Sequence, residues 1–357
     1  MSVRVVSGHS GGTGVLTRFD TSRPTLADVA KRAGVSGQTV SRVVNGAHTV
    51  TAGTAARVQV AIDELGYRPN GAARALKAGR TNTVGVVTAD STLHGSTSLL
   101  YAVERAVRAA GFFVSVSSVS SNDRAEIVRA ARSLQSQGAD GLLVLCAVPG
   151  RETVIGADDV DVPVVLAWAH PRGEWACASI DEQRAAAQVT THLLTLGHRT
   201  VHHVAGPADH PSTALRRRGW RSALTLAGAP VPAPLTGDWG AAAGYDAGRR
   251  LAADEGVTAV FCANDQTALG VLRALAEAGR AVPRTISVVG FDGSADSEFY
   301  QPPLTTVRID FDRLGRRCVE LLRQQITAPD PAPSTVLLPA EIVLRSSHAA
   351  PAQAVRA

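Results

Sequence analysis

The sequence predicts a small all-α helix-turn-helix module followed by an α/β core of two doubly wound parallel-sheet lobes. Three observations carry this. Residues 25–45 have helical apolar spacing interrupted by one glycine. From Thr81 onward, apolar β-branched runs recur roughly every 25–30 residues with helical patterns between them, the alternation of βαβ units. The net charge of +5 is unevenly held: residues 1–80 carry 11 Lys+Arg against 4 Asp+Glu, the remainder 25 against 27. The positive charge therefore belongs to the N-terminal module, which points to a polyanion partner for that module alone.

Residues 1–22 are Gly/Ser-rich and read as a disordered arm. Gly11-Gly12-Thr13-Gly14 lacks both a third glycine and a preceding strand, so it does not make a phosphate loop. In TLADVAKRAGVSGQTVSRVVN, Thr25 caps a first helix with Asp28 as its acidic partner. Leu26, Val29, Ala30 and Ala33 share one face, and Gly34 supplies the break. Ser36 caps a second helix that buries Val40, Val43 and Val44. Gln38, Thr39, Ser41 and Arg42 are left outward, and Gln and Arg are side chains that pair bidentately with adenine and guanine in a major groove. Asn45-Gly46 makes a turn, and a third helix spans Ala52–Leu65, with Thr51 as cap, Val58, Ile62 and Leu65 inward, and Gly66 as stop. Pro69 then requires extended backbone before it.

The next piece, GAARALKAGR, is too short to be a stable helix alone. Leu76 is its large apolar side chain, flanked by Arg74, Lys77 and Arg80, which suits a hinge helix that folds on DNA and wedges a leucine into a minor-groove base step. In the core, strands are expected at Val84–Thr88, Phe112–Val116, Leu142–Cys146, Val162–Ala167, Val201–Val204, Ala259–Ala263 and Ile286–Phe291. Helices are expected at Leu99–Ala110, Glu126–Gln137, Arg184–Leu196, Arg218–Leu226, Ala242–Ala253 and Thr267–Ala278. One open sheet would be too wide for so many units, so two lobes follow, with ligands at the carboxyl ends of strands. Asn264-Asp265 and Asp292-Gly293 close two strands, Arg216–Arg218 opens the helix holding Trp220, and Trp239 precedes another helix. Carboxylate, amide and guanidinium groups bind hydroxyls and an indole covers sugar C–H faces, so the set suits a small polyol.

Other chemistries are poorly supported. Cys146, Cys177, Cys262 and Cys318 form no CxxC pair and read as reduced core residues, with no metal site. His192, His198, His202, His203 and His210 read as surface and cap residues. No complete GxGxxG motif occurs and no catalytic Ser/His/Asp set has usable context, so no cofactor, catalytic residue or enzymatic activity is assigned. The N-terminus has no continuous apolar stretch of signal-peptide type and no run reaches membrane-span length, so a cytoplasmic protein without a membrane partner is expected.

These motifs resemble the lactose-repressor (LacI/GalR) family of bacterial transcription regulators across residues 24–346. The resemblance rests on TLADVAKRAGVSGQTVSRVVNG, GYRPNGAARALKAGRTNTVGVV, LGHRTVHHVAGP, LRRRGW, GDWGAAAGY, ANDQTALG, ISVVGFD and PPLTTVRIDFDRLG. GDW and PPLTT stand nearer the family's namesake than its average. The resemblance implies a homodimer on pseudo-palindromic operator DNA and a periplasmic-binding-protein-like core with an effector between its lobes. It implies a DNA-binding domain at 23–70, a hinge helix at 71–80 and a core at 81–346, followed by a disordered tail at 347–357. The lobes would be 81–180 plus 310–325, and 181–307 plus 326–346.

Carried over by motif, Thr25, Ser36, Gln38, Thr39, Ser41, Arg42, Asn45, Asn70 and Leu76 form the DNA-contacting set. Arg216, Trp239, Asn264 and Asp292 match sugar-contacting positions, with Phe311 and Leu314 lining the same pocket. Gly37 stands where the namesake has a base-contacting tyrosine, and Trp168 where it has a pocket aspartate, so operator and effector preferences differ. The tail lacks the leucine heptads of a tetramerisation helix, which leaves a dimer. The expected activity is repression relieved by a lactose-like sugar or other β-glycoside. A purine co-repressor is the alternative within the family, although Asp90-Ser91-Thr92-Leu93-His94 offers no aromatic for stacking a base. A sugar-binding transport protein would share the core but not the hairpin.

Overall fold

The computed structural model describes residues 24–44, 49–68, 80–89, 93–120, 123–145, 154–168, 175–327 and 334–351. Two compact units divide the chain, Met1–Gly79 and Arg80–Ala357. The first holds α1 (Leu26–Ala33), α2 (Gly37–Val44) and α3 (Ala52–Leu65). The α1 start is a reciprocal cap: the Thr25 N–H donates to Asp28 Oδ2 at 2.8 Å, and the Asp28 N–H donates to Thr25 Oγ1 at 3.3 Å. Gly34 (φ +66°) ends α1 in the left-handed conformation. Ser36 Oγ accepts the Thr39 N–H at 3.2 Å and so starts α2.

Val29, Ala30, Val40, Val58, Ala61 and Tyr67 form the buried centre of this unit, and Leu26, Ala33, Val43, Val44, Ile62 and Leu65 pack around it half-buried. Tyr67 was not expected there, because it lies beyond the Gly66 stop and outside any helical period. Thr51 occupies the N-cap position of α3, but its hydroxyl donates to Thr54 Oγ1 rather than capping a backbone N–H. The arm, Asn45-Gly46, Asn70 and the hinge helix around Leu76 lie outside the described residues.

The second unit begins with β1 (Thr83–Ala89), α4 (His94–Ala109), β2 (Phe113–Val119), α5 (Arg124–Ser136), β3 (Gly141–Val144), β4 (Val164–Ala167) and β5 (Ala176–Ile180). There follow α6 (Glu182–Thr195), β6 (His202–Ala205), α7 (Pro211–Leu226), β7 (Leu235–Thr236), α8 (Ala241–Ala252), β8 (Ala259–Cys262), α9 (Asp265–Glu277) and β9 (Ser287–Asp292). The last elements are β10 (Thr305–Arg308), α10 (Phe311–Thr327), β11 (Thr335–Leu338) and β12 (Glu341–Val343). They build two six-stranded sheets, ordered β11-β5-β4-β3-β1-β2 and β12-β10-β9-β8-β6-β7. All pairs are parallel except β10 with β12. Helices cover both faces, so β1, β3, β4, β8 and β9 are buried strands rather than alternating ones. In each sheet the strand order reverses beside the first strand, at β1/β3 and at β6/β8, which opens a crevice at the carboxyl ends.

Several expectations need correction. The segment ACASI forms β5, which small alanine, cysteine and serine side chains hide from a search for β-branched runs. Residues 326–346 do not all join the second lobe: β11 pairs in parallel with β5, Thr335 opposite Cys177, so it completes the first sheet, and the chain joins the second only from β12 onward. Chain crossings between lobes therefore lie at 180–182, 308–311 and 338–341. Helix α7 begins at Pro211, a favoured first helical residue, so the arginine run 216–218 sits in its second turn. The start of the expected disordered tail is tied down instead. Ser347 Oγ accepts the Thr305 N–H at 2.8 Å and donates to the Val288 carbonyl at 2.6 Å, and the Ala349 N–H donates to Ser287 Oγ at 3.0 Å. Residues 352–357 of that tail lie outside the described residues. No helix among the described residues is long and apolar enough to cross a membrane.

Helices α8 and α9 approach backbone to backbone. A Cβ at Gly270 would lie 1.9 Å from the Ala241 carbonyl oxygen, and one at Gly244 would lie 2.1 Å from that of Thr267. Gly270→Val is expected to force these helices apart and lower unfolding stability by about 1–3 kcal/mol or more, read as a shift in urea midpoint. An unchanged midpoint would show that the crossing is not tight.

Candidate functional site

Two surfaces collect the candidate residues. The first is on α2. Its inward face is held by Val40, which fixes what points out: Gln38 and Arg42, one turn apart, are exposed, while Thr39 and Ser41 are half-buried. The Ser36 and Thr39 hydroxyls lie 2.9 Å apart, and Ser36 caps the helix. Thr25 is likewise engaged with Asp28. The structure thus gives these three threonine and serine hydroxyls local partners and leaves Gln38 and Arg42 as the long exposed donors. A Cβ at Gly37 would stand 3.2 Å from Leu26, so the first residue of α2 closes onto α1.

The second surface is the crevice of the core, at the carboxyl ends of β6, β8 and β9. Arg216, in α7, is 2% exposed. Its Nη2 donates to Glu182 Oε1 at 2.7 Å and to Asp292 Oδ1 at 3.1 Å, and its Nη1 donates to the Ala263 carbonyl. The guanidinium carbon sits 3.9 Å from the Phe291 ring centroid and 5.5 Å from that of Trp239. Burial alone would lower the Arg216 pKa, but the Glu182 and Asp292 charges outweigh it and hold the group charged. Burial raises the Asp292 pKa, while Arg216 pulls it back. Asn264 caps α9 by accepting the Thr267 N–H at 2.9 Å, and its Nδ2 donates to the Trp239 carbonyl at 3.0 Å.

From the first lobe, Trp168 follows β4 and donates its indole N–H to Glu182 Oε1 at 3.0 Å. Its ring meets Phe311 edge-on, centroids 5.5 Å apart, and lies so close to α4 that a Cβ at Gly95 would be 2.4 Å from it. Leu314 is fully buried one turn further along α10. Among the described residues, four non-glycine residues have positive φ, and three of them are Trp168 (+58°), Trp239 (+74°) and Asp292 (+95°). Such strain in bulky side chains persists where surrounding structure imposes it, commonly at functional sites.

The expected residues Trp168, Arg216, Trp239, Asn264, Asp292 and Phe311 therefore come together. Glu182 was missed. At the start of a helix an acidic residue is explained by the helix dipole, so its sequence position carries no distinctive signal. The histidine expectation also needs correction. His203 is buried, stacked on Phe261 at 4.8 Å between centroids, and its pKa is pushed down to about 4, chiefly by burial. His198 is buried too, hydrogen-bonded to Thr258 and to the Ala349 carbonyl. His210 does cap α7, accepting the Ser212 N–H at 3.2 Å. Cys177, Cys262 and Cys318 are buried and form no disulfide. Cys146 lies outside the described residues.

A model of the lacI family of bacterial regulatory proteins matches residues 25–70, and one of the periplasmic-binding-protein-like domain matches 190–348. The chain is 34% identical over 330 residues to the lactose operon repressor of Escherichia coli K12, covering 92% of this chain and 91% of that one. It is similar to the crystal structure of the lac repressor dimer bound to operator and the anti-inducer ONPF, with TM-score 0.84 and 34% identity over 91% of this chain and 99% of that chain. It is also similar to a complex of the transcriptional regulator CelR with cellobiose, with TM-score 0.67 and 33% identity over 91% of this chain and 100% of that chain.

Asp265, beside the crevice, accepts the Ser294 N–H at 2.7 Å and the Thr306 hydroxyl at 2.5 Å. Burial pushes its carboxyl up to about 7 against an ordinary value of 3.8. A folded-state pKa above the unfolded one means that the native protein holds the proton more tightly. The group's contribution to stability is then complete below the ordinary aspartate range and is lost as pH rises to about 7. Asp265→Asn is expected to flatten this decline, so that the variant's Tm relative to wild type improves between pH 4 and pH 7. A constant difference across that window would place the Asp265 pKa near its ordinary value.

Proposed function

We propose that this chain, which belongs to the lacI family of bacterial regulatory proteins, is a transcriptional repressor that a small sugar releases from its operator. The relatives it matches are DNA-binding regulators and not enzymes, and we read this chain the same way, as a cytoplasmic homodimer. Each subunit presents one α2 to half of a pseudo-palindromic site. Gln38 and Arg42 read base edges in the major groove, while Thr25, Ser36, Thr39, Ser41, Asn45 and Asn70 orient the module on the backbone and Leu76 wedges into the minor groove. The basic balance of residues 1–80 supplies the attraction to phosphate.

The effector reading rests on one observation: Arg216, Asn264 and Asp292 meet beside the Trp239 ring at the carboxyl ends of adjacent strands. Carboxylate, guanidinium and amide together bind vicinal hydroxyls, and an indole face covers the apolar side of a pyranose. A lactose-like sugar or other β-glycoside fits this chemistry, and a structural relative is a cellobiose complex. Release follows from linkage: sugar and operator favour different lobe arrangements, and each weakens the other by the same factor.

Fluorescence anisotropy on DNA from upstream of the gene, at fixed salt, tests both halves. Addition of β-glucosides and β-galactosides is expected to release the DNA. Tightening by hypoxanthine or guanine, with no sugar response, would replace the inducer with a purine co-repressor. Gln38→Ala and Arg42→Ala are each expected to lose roughly 1–3 kcal/mol of discrimination between operator and scrambled DNA. Equal losses on both DNAs would move base reading elsewhere. Asp292→Ala should bind operator normally yet ignore the sugar, and a retained response would place the effector outside this crevice.

A further inference from the structure

The charge balance around Arg216 goes beyond what a polyol site needs. Its guanidinium meets two carboxylates, those of Glu182 and Asp292. Nη2 already donates to two carboxylates and Nη1 to a carbonyl, so no bidentate fork is left to grip a phosphate or carboxylate, although the Nε–H has no partner among the described residues. Glu182 is wholly buried; its Oε1 serves Arg216 and Trp168 together, and its Oε2 takes no hydrogen bond among the described residues. Arg216 therefore faces two carboxylates in a dry setting, where an incoming anion meets like charge.

We propose that Glu182 is the charge-selecting residue of the inter-lobe crevice: with Asp292 it consumes the positive charge of Arg216, so that the site takes neutral or cationic glycosides and rejects sugar phosphates and uronic acids. This rests on the reading of the crevice as the effector site. Asp292 alone would balance Arg216 and leave the crevice open to either class of sugar. The added glutamate tips it.

The test uses the full-length chain and its own fluorescence, because Trp168, Trp175, Trp220 and Trp239 all lie in the core and the DNA-binding module has no tryptophan. Wild type and Glu182→Gln are titrated with pairs differing in charge: methyl β-glucoside and methyl β-glucuronide, methyl β-galactoside and methyl β-galacturonide, cellobiose and its 6-phosphate. Wild type is expected to prefer the neutral member by at least about tenfold, and Glu182→Gln to narrow that ratio by a similar factor. Equal affinity of wild type for both members of a binding pair overturns the proposal, whether or not the variant folds. So does an unchanged ratio in a folded variant. If no sugar of either kind binds wild type, the sugar reading of the crevice fails, and inorganic phosphate then decides the charge question separately. A fluorescence response to phosphate in Glu182→Gln but not in wild type supports charge selection by Glu182, and the same response in both overturns it.

Discussion

The core depends on the burial of one guanidinium. Arg216 has been taken out of water, and a desolvated cation is tolerable only when opposite charge and hydrogen-bond acceptors replace the lost hydration. Glu182 from α6, Asp292 from β9 and the carbonyl after β8 supply them, while the Phe291 ring closes the face from below. Removing the guanidinium would cost on the order of 3–5 kcal/mol, because Glu182 and Asp292 would be left buried without their cation, whereas loss of one carboxylate leaves Arg216 the other. The second lobe is thereby obliged to bring three elements to one point, the same point at which its strand order reverses.

That cluster also reaches across the crevice. Glu182 Oε1 is shared between Arg216 of the second lobe and the Trp168 indole of the first. The ring of Trp168 in turn rests on Phe311, where the chain has just crossed back between lobes. If the crevice takes the effector proposed above, a ligand that competes for Glu182 or Asp292 would change what the opposite lobe touches, a direct route from a small polar contact to a change in lobe arrangement.

The walls of the crevice are set by strain and by absent side chains. Trp168 and Trp239 both hold left-handed backbone, and each lies against a glycine, Gly95 and Gly206, where a Cβ would collide with the indole. A large side chain in a costly conformation beside a position that admits none is a mutual constraint: the glycine makes the room and the packed indole offsets the strain. The DNA-binding unit is built the other way. Its small centre of Val29, Ala30, Val40, Val58, Ala61 and Tyr67 uses ordinary helices with ordinary caps, and its chemistry lies in what the helix surface leaves exposed.

The sequence by itself determined whatever depends on neighbours along the chain. The three N-terminal helices, the Thr25–Asp28 cap, the Gly34 break and the outward Gln38 and Arg42 were legible because caps, glycines and helical period act over three or four residues. The parallel α/β alternation was legible for the same reason, as were Asn264 and Asp292, which end recognisable strands. Tertiary structure decided the rest. It made a strand of ACASI, which has no propensity signature, because burial between β4 and β11 satisfies its backbone. It placed β11 in the first sheet and fastened Ser347 and Ala349 to the second, since hydrogen bonds between distant segments leave no periodic mark. It also turned Glu182 from an unremarked helix-start acid into the partner of Arg216, because the charge that gives a buried carboxylate its meaning lies 34 residues away in the chain and 2.7 Å away in space.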